Sequence, residues 1–194
     1  HFKKAIAPGG ERILIHVSNF RKVKRVEDVI MMFDKVLKKV PSKLLLVGDG
    51  PERMNIEMLC RKLGNCDQVR FLGKQDAVED LLAISDLFIL PSETESFGLA
   101  ALEAMACQVP VISSNAGGIP EININGKTGY MSNVGDYEHM AMNAIHILES
   151  DERLKEFKDN AYAHAQTFDI ENILPQYERY YERTLHSNNL EFMI

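Results

Sequence analysis

The chain has 194 residues, 45% of them hydrophobic, which is enough to bury one full core and favours one domain over two. Its 22 Lys and Arg against 28 Asp and Glu give a formal charge of -6, which argues against a general nucleic-acid surface. No apolar run approaches the roughly 20 residues of a membrane span, and the opening His-Phe-Lys-Lys does not resemble a signal peptide, so a soluble protein with a cytoplasmic address is expected.

Residues 13–17 form a short, mostly β-branched apolar run ended by Ser18 and Asn19, which predicts a buried strand with His16 as a hydrogen-bonded core histidine. Arg21, Lys22, Lys24 and Arg25 then crowd into five positions, a local anion site compatible with an acidic whole. Apolar residues at Val26, Val29, Ile30, Phe33, Val36, Leu37 and Val40 follow the 3.6-residue rhythm of a helix packed on a sheet. A second strand is predicted at 44–47, closed by Gly48 and Gly50, with Pro51 at the first position of a helix that ends near Gly64. Gly48 and Gly50 suit either a ligand-facing loop or a plain turn.

Further strands are expected at 69–72, 87–90, 109–113 and 128–131, and a short helix at 77–84. Residues 97–107 predict a small apolar helix, 115–121 a glycine-paired loop, and 137–149, 151–166 and 171–185 three closing helices. Residues 186–194 have no clear pattern and read as a tail. Cys60, Cys66 and Cys107 lack a zinc-like spacing and read as reduced structural thiols. The chain starts without Met, so a piece of a longer protein is expected.

Short strands alternating with helices imply an α/β fold, a Rossmann-like doubly wound parallel sheet of about six strands spanning residues 1–185. Ligands bind such sheets at the carboxyl ends of the strands, so the loops 18–25, 48–51, 72–74, 91–98 and 115–121 would line one rim. Glu95 and Glu103 frame the helix start on that rim. The orphan N–H groups and positive dipole end of such a start suit an anion, phosphate above all.

Glu95-Ser96-Phe97-Gly98-Leu99 with Glu103-Ala104-Met105-Ala106, followed by Pro110-Val111-Ile112 and Gly117-Gly118-Ile119-Pro120-Glu121, resembles the E-x7-E signature and next element of the family 4 retaining glycosyltransferases of the two-Rossmann-domain, GT-B kind. The resemblance covers nearly the whole chain and implies the carboxyl-terminal, donor-binding half of that fold, without the amino-terminal acceptor domain. It assigns the donor sugar's hydroxyls to Glu95 and the ribose hydroxyls to Glu103; carboxylates are apt because they only accept hydrogen bonds. It also implies an Arg and, five residues later, a Lys on the donor diphosphate. Lys24 fits the lysine, whereas Asn19 stands where the arginine is expected, with Arg21 the nearest substitute and Arg25 another. The base would lie near 69–73, beside Arg70, Phe71 and Leu72, read largely by backbone groups. Ser18, Gly48, Ser96, Phe97, Gly98 and Leu99 complete the implied donor-binding set.

Residues 18–26, 44–52 and 72–76 are more narrowly similar to the branch of this family that transfers N-acetylglucosamine to L-malate in bacillithiol biosynthesis. That similarity implies UDP-N-acetylglucosamine as donor and L-malate as acceptor. Lys24, Arg21 and Glu95 would then act at the reacting end of the donor, with cations and helix start stabilising the departing diphosphate in place of a metal; no cofactor is implied, and neither glutamate is expected to transfer a proton. The closing helix, with Ile173, Tyr177, Tyr180, Tyr181 and Leu185, packs either on the missing domain or within this one. Half of a UDP-sugar epimerase and a non-catalytic interaction module with a relic nucleotide-binding fold are the rival classes. The piece alone is expected to bind UDP weakly and to be inactive.

Overall fold

The structure, a computed structural model, describes residues 2–191. The elements run α1 (Phe2–Ile6), β1 (Arg12–Val17), α2 (Val26–Leu37), β2 (Ser42–Val47), α3 (Arg53–Leu63), β3 (Val69–Gly73), α4 (Val78–Ala83), β4 (Leu87–Leu90) and α5 (Leu99–Ala106). They continue with β5 (Val111–Ser114), α6 (Ile119–Ile122), β6 (Gly129–Ser132), α7 (Tyr137–Leu148), α8 (Asp151–Ala165) and α9 (Ile170–Glu191). The expected six-stranded α/β sheet forms, every neighbouring pair parallel, in the order β3-β2-β1-β4-β5-β6. The order reverses between β1 and β4, and the crevice outside their carboxyl ends is the switch point at which such sheets take ligands.

Strands buried on both faces read as continuous apolar runs, and their alternation divides the core in two. Leu14, Leu44, Leu46, Ile89 and Ile112 point to the face covered by α2, α3 and α7, meeting Val29, Phe33, Ile56 and Met140. Ile13, Ile15, Leu45, Phe88 and Val111 point to the other, meeting Leu82 of α4, Ala101 and Met105 of α5 and Ala161 of α8. Small side chains let α5 lie close to the sheet. Asp136 and Ser150 accept from the His139 and Arg153 N–H groups at 3.0 and 3.2 Å and so start α7 and α8.

Several boundaries differ from expectation. Pro51 lies in a turn, and α3 begins only at Arg53. The loop expected at 115–121 closes instead into the one-turn helix α6, with Pro120 in its first turn, a position that needs no backbone donor. Strand β5 starts at Val111, since Pro110 has no N–H to give a neighbour. Helix α1 has no periodic signal in five residues; it is held from outside, by Lys3 Nζ 3.1 Å from the buried Asp86 and by an Arg70 hydrogen bond to the Ala5 carbonyl. The closing helix runs on through Glu191, past the expected end at 185, and residues 192–194 lie outside the described residues. All three cysteines are free, and burial pushes the Cys60 thiol up to about 12, with Cys66 adding to the effect.

Candidate functional site: a cavity at the switch point

A cavity of about 200 Å³ opens between the ends of β1 and β4 and the start of α5. Val17 and Ser18 line it from β1, Leu90 from β4, Lys24 from the basic loop, and Glu95 through Ala100 from the segment entering the helix. Seven sequence-predicted site residues thus meet here: Ser18, Lys24, Glu95, Ser96, Phe97, Gly98 and Leu99.

Lys24 Nζ donates to Glu95 Oε2 at 2.6 Å, with both side chains largely buried at 22% and 17% exposure. The pair presents a cation and an acceptor side by side. Helix α5 starts two residues later than expected, with Gly98 in the left-handed conformation as its N-cap. Its first backbone bonds run from Ala101 and Leu102 N–H to the Gly98 carbonyl, so the Leu99 and Ala100 N–H groups face the rim without a backbone acceptor among the described residues. A cation, an acceptor-only carboxylate and free N–H donors at a positive helix end have the chemistry to receive an anion that also bears hydroxyls.

The two candidate arginines differ. Arg25 grips Asp28 with two hydrogen bonds, 2.6 and 3.2 Å, and that bond raises its already high pKa. Its guanidinium lies against Gly135, away from the cavity lining. Arg21 is exposed, and its side chain has no hydrogen-bond or ion-pair partner among the described residues, so it is the available second cation.

Other predicted residues lie outside the cavity wall. Asn19 is exposed beside it. Arg70 turns its guanidinium to the Ala5 carbonyl at 3.3 Å, and Phe71 carries the Arg53 guanidinium over its ring at 5.8 Å, while Leu72 is half-buried at the β3 end. Glu103 is exposed on α5, about 6 Å along the axis from Leu99 at 1.5 Å per residue. It makes no hydrogen bond or ion pair among the described residues.

Gly48 has a physical duty that neither sequence reading names. At φ 117°, its missing Cβ would stand 1.8 Å from the Ser18 carbonyl oxygen, so the β2 loop braces the β1 loop by backbone contact. Gly117 repeats the device under Glu95: at φ 56°, a Cβ would stand 1.8 Å from the Glu95 carbonyl oxygen, and Gly118 N–H donates to that oxygen at 3.1 Å. Residues missed as participants are His16, whose Nε2 lies 2.8 Å from Ser18 Oγ, and Ser92, whose hydroxyl lies 3.4 Å from Glu95 Oε2. Both are short-range contacts, two and three residues apart, that depend on side-chain rotamers at the strand ends, which periodicity does not report.

The profile of glycosyl transferases group 1 matches residues 1–164. The chain belongs to this family. It is 50% identical over 179 residues to N-acetyl-alpha-D-glucosaminyl L-malate synthase of Bacillus anthracis, covering 92% of this chain and 47% of that protein. It is 35% identical over 130 residues to the sulfoquinovosyl transferase SQD2 of Arabidopsis thaliana, covering 65% of this chain and 24% of that protein. Among solved structures, sucrose-phosphate synthase from Thermosynechococcus elongatus superposes with TM-score 0.83 at 28% identity, over 95% of this chain and 49% of that one. Anabaena HepE in complex with UDP-glucose superposes with TM-score 0.82 at 26% identity, over 94% and 51%. The chain spans about half or less of the length of the curated relatives it matches. Its Rossmann-like sheet is the one found in GT-B glycosyltransferases. Among the described residues, no helix is long and apolar enough to cross a membrane, and no group of three or more His, Cys, Asp or Glu is placed to hold a metal ion.

Proposed function

We propose that this chain is the donor-binding half of a retaining glycosyltransferase that moves N-acetylglucosamine from UDP-N-acetylglucosamine to the hydroxyl of L-malate, in bacillithiol biosynthesis in the cytoplasm. The observation that carries the reading is the cavity at the switch point, where Lys24 and Glu95 meet the free N–H groups of α5. The name of the half-identical Bacillus anthracis relative supports the choice of donor and acceptor.

In this reading Lys24, Arg21 and the α5 start hold the diphosphate, Glu95 the sugar hydroxyls and Glu103 the ribose hydroxyls. The base lies along β3 at Arg70, Phe71 and Leu72. As the sugar–phosphate bond weakens, negative charge collects on the departing UDP and the acceptor attacks the same face of the anomeric carbon. Fixed donors aimed at that charge are the kind of preorganised stabilisation worth several kcal/mol, about 3 for a single donor. No metal is needed for that task. The acceptor side belongs to a preceding domain of the longer protein. Ile170, Leu174, Tyr177, Tyr180, Tyr181 and Leu185 of α9, each at least half exposed, are available to pack against it.

The full-length protein, incubated with UDP-N-acetylglucosamine and L-malate in excess chelator, is expected to form the α-configured glycoside. Inversion at C2 with no transfer would instead select the epimerase class, and loss of transfer on chelation would overturn the metal-free mechanism.

A further inference from the structure

His16 is fully buried on β1, and both of its ring nitrogens are engaged. Nδ1 lies 2.8 Å from the Ile89 carbonyl oxygen on the neighbouring strand β4. A carbonyl only accepts, so Nδ1 bears the proton. Burial lowers the imidazole to about 4, with the Ile89 bond opposing and the Lys24 charge reinforcing the shift, so at neutral pH the ring holds that one proton and no other. Nε2 is therefore a bare lone pair.

The consequence falls on Ser18, whose Oγ lies 2.8 Å from Nε2 and which lines the cavity. Of the two groups only the hydroxyl has a proton to give, so Ser18 donates to His16. Its proton points into the sheet. Of the remaining lone pairs, one faces the Phe20 N–H at 3.3 Å, which leaves the other for the cavity. Phe20 holds this arrangement from the far side. Its ring stacks on the imidazole with centroids 6.3 Å apart, fully buried on a left-handed backbone of φ 36°. The Glu52 N–H donates to its carbonyl at 3.0 Å, fixing that backbone.

We infer that His16 is a positioning residue that, through its two ring nitrogens, fixes Ser18 as a hydrogen-bond acceptor toward the cavity, so that Ser18 reads a hydroxyl of the donor's transferred sugar and not an oxygen of its diphosphate. A phosphate oxygen offers no proton to a lone pair. Turning the Ser18 proton outward to meet it would strand the buried Nε2 without a partner, the costly way to lose a hydrogen bond. The cavity thus separates two tasks: Ser18 and Glu95 accept from hydroxyls, while Lys24 and the α5 N–H groups meet charge. This inference rests on the donor-binding reading above.

Two measurements test it. A long-range ¹H–¹⁵N spectrum of the histidine rings is expected to show His16 as the Nδ1–H tautomer between pH 6 and 8. Calorimetric titrations with UDP and with UDP-N-acetylglucosamine then compare the wild-type chain with His16→Asn, Ser18→Ala and the double variant. The Asn amide keeps a donor for Ile89 but leaves nothing at Nε2. Each single variant is expected to weaken the nucleotide sugar roughly fivefold, the worth of one neutral hydrogen bond, and to leave UDP within about twofold. The double variant is expected to be no weaker than Ser18→Ala, because His16 acts through Ser18. The Nε2–H tautomer, equal losses for UDP and the nucleotide sugar, or additive losses would each overturn the inference. Unchanged binding by Ser18→Ala would overturn it alone, whereas failure of the wild-type chain to bind either nucleotide would overturn the donor reading with it. Should His16→Asn not fold, Ser18→Ala and the tautomer decide.

Discussion

Lys24 and Glu95 hold each other at 2.6 Å, yet in the proposed complex one serves the diphosphate and the other the sugar. Donor binding must therefore share or part this pair, and Lys24→Ala removes the cation while leaving a largely buried carboxylate facing the anion. The Glu95 side depends on Gly117, which has both a left-handed φ and a carbonyl in the place of its Cβ. Gly117→Ala is expected to cost about 1–3 kcal/mol in urea unfolding and to weaken nucleotide-sugar binding, since the Glu95 backbone must shift to admit the methyl. His16 gives a pH signature. Its folded value near 4 lies below the ordinary 6.5, so between these limits the unfolded chain binds a proton that the folded chain does not. Its contribution is complete above pH 6.5 and is lost as pH falls toward 4, about 3 kcal/mol in all. Urea unfolding from pH 7 to 4.5 should therefore show the stability gap between wild type and His16→Asn narrowing as pH falls. Lys24, Glu95 and Glu103 were legible as a motif. His16 was legible only as a core histidine, because its bond to Ile89 depends on where β1 lies against β4 and its contact with Ser18 on a rotamer that periodicity does not report. That Arg25 is spent on Asp28 while Arg21 stays open was also hidden, since a cluster of cations does not say which of them a neighbouring carboxylate takes.

At the scale of elements, apolar rhythm identified α2, the strands and the helices after β6, each long enough or buried enough to leave a pattern. It did not identify α1 or α6, which are five and four residues long and are set by tertiary contacts. Asp86 shows how. Burial disfavours its charge, but Lys158 at 2.9 Å, the Ile13 N–H and Lys3 outweigh that and hold its carboxyl below the usual range. One carboxylate thus ties α1, β1 and α8 to the end of α4. Asp86→Asn is expected to destabilise the chain by about 3 kcal/mol at pH 7, as removal of one partner of a buried pair does, with the loss shrinking as acid protonates the wild-type carboxyl. A milder test lies at α8: Ser150→Ala removes the cap on the Arg153 N–H and should lower stability by about 1 kcal/mol in the same assay.

For the whole molecule, the sheet order places Lys24, Glu95 and the α5 start at one crevice, and alternating short strands and helices made that crevice foreseeable. The disposition of α9 was not foreseeable, because Tyr177, Tyr180 and Tyr181 have the helical spacing of a buried stripe yet are 59%, 67% and 63% exposed. A groove of about 650 Å³ between Tyr177 and Tyr180 on one side and Phe97, Leu99 and Leu102 on the other adjoins the switch-point cavity through Phe97 and Leu99. It is lined mainly by apolar side chains and lacks the cation and carboxylate of the smaller cavity, so we assign it no part in diphosphate binding. Under the proposed division, with the acceptor domain elsewhere in a longer protein, the isolated chain is expected to bind donor without glycosyl transfer. Detectable transfer by the purified chain would contradict that division of labour. The central claim, that Lys24 grips the diphosphate of UDP and Glu103 its ribose, is tested most directly by titration calorimetry of the chain with UDP. The account predicts measurable binding by the wild type and at least a tenfold loss in each of Lys24→Ala and Glu103→Ala; wild-type affinity in both folded variants would contradict it.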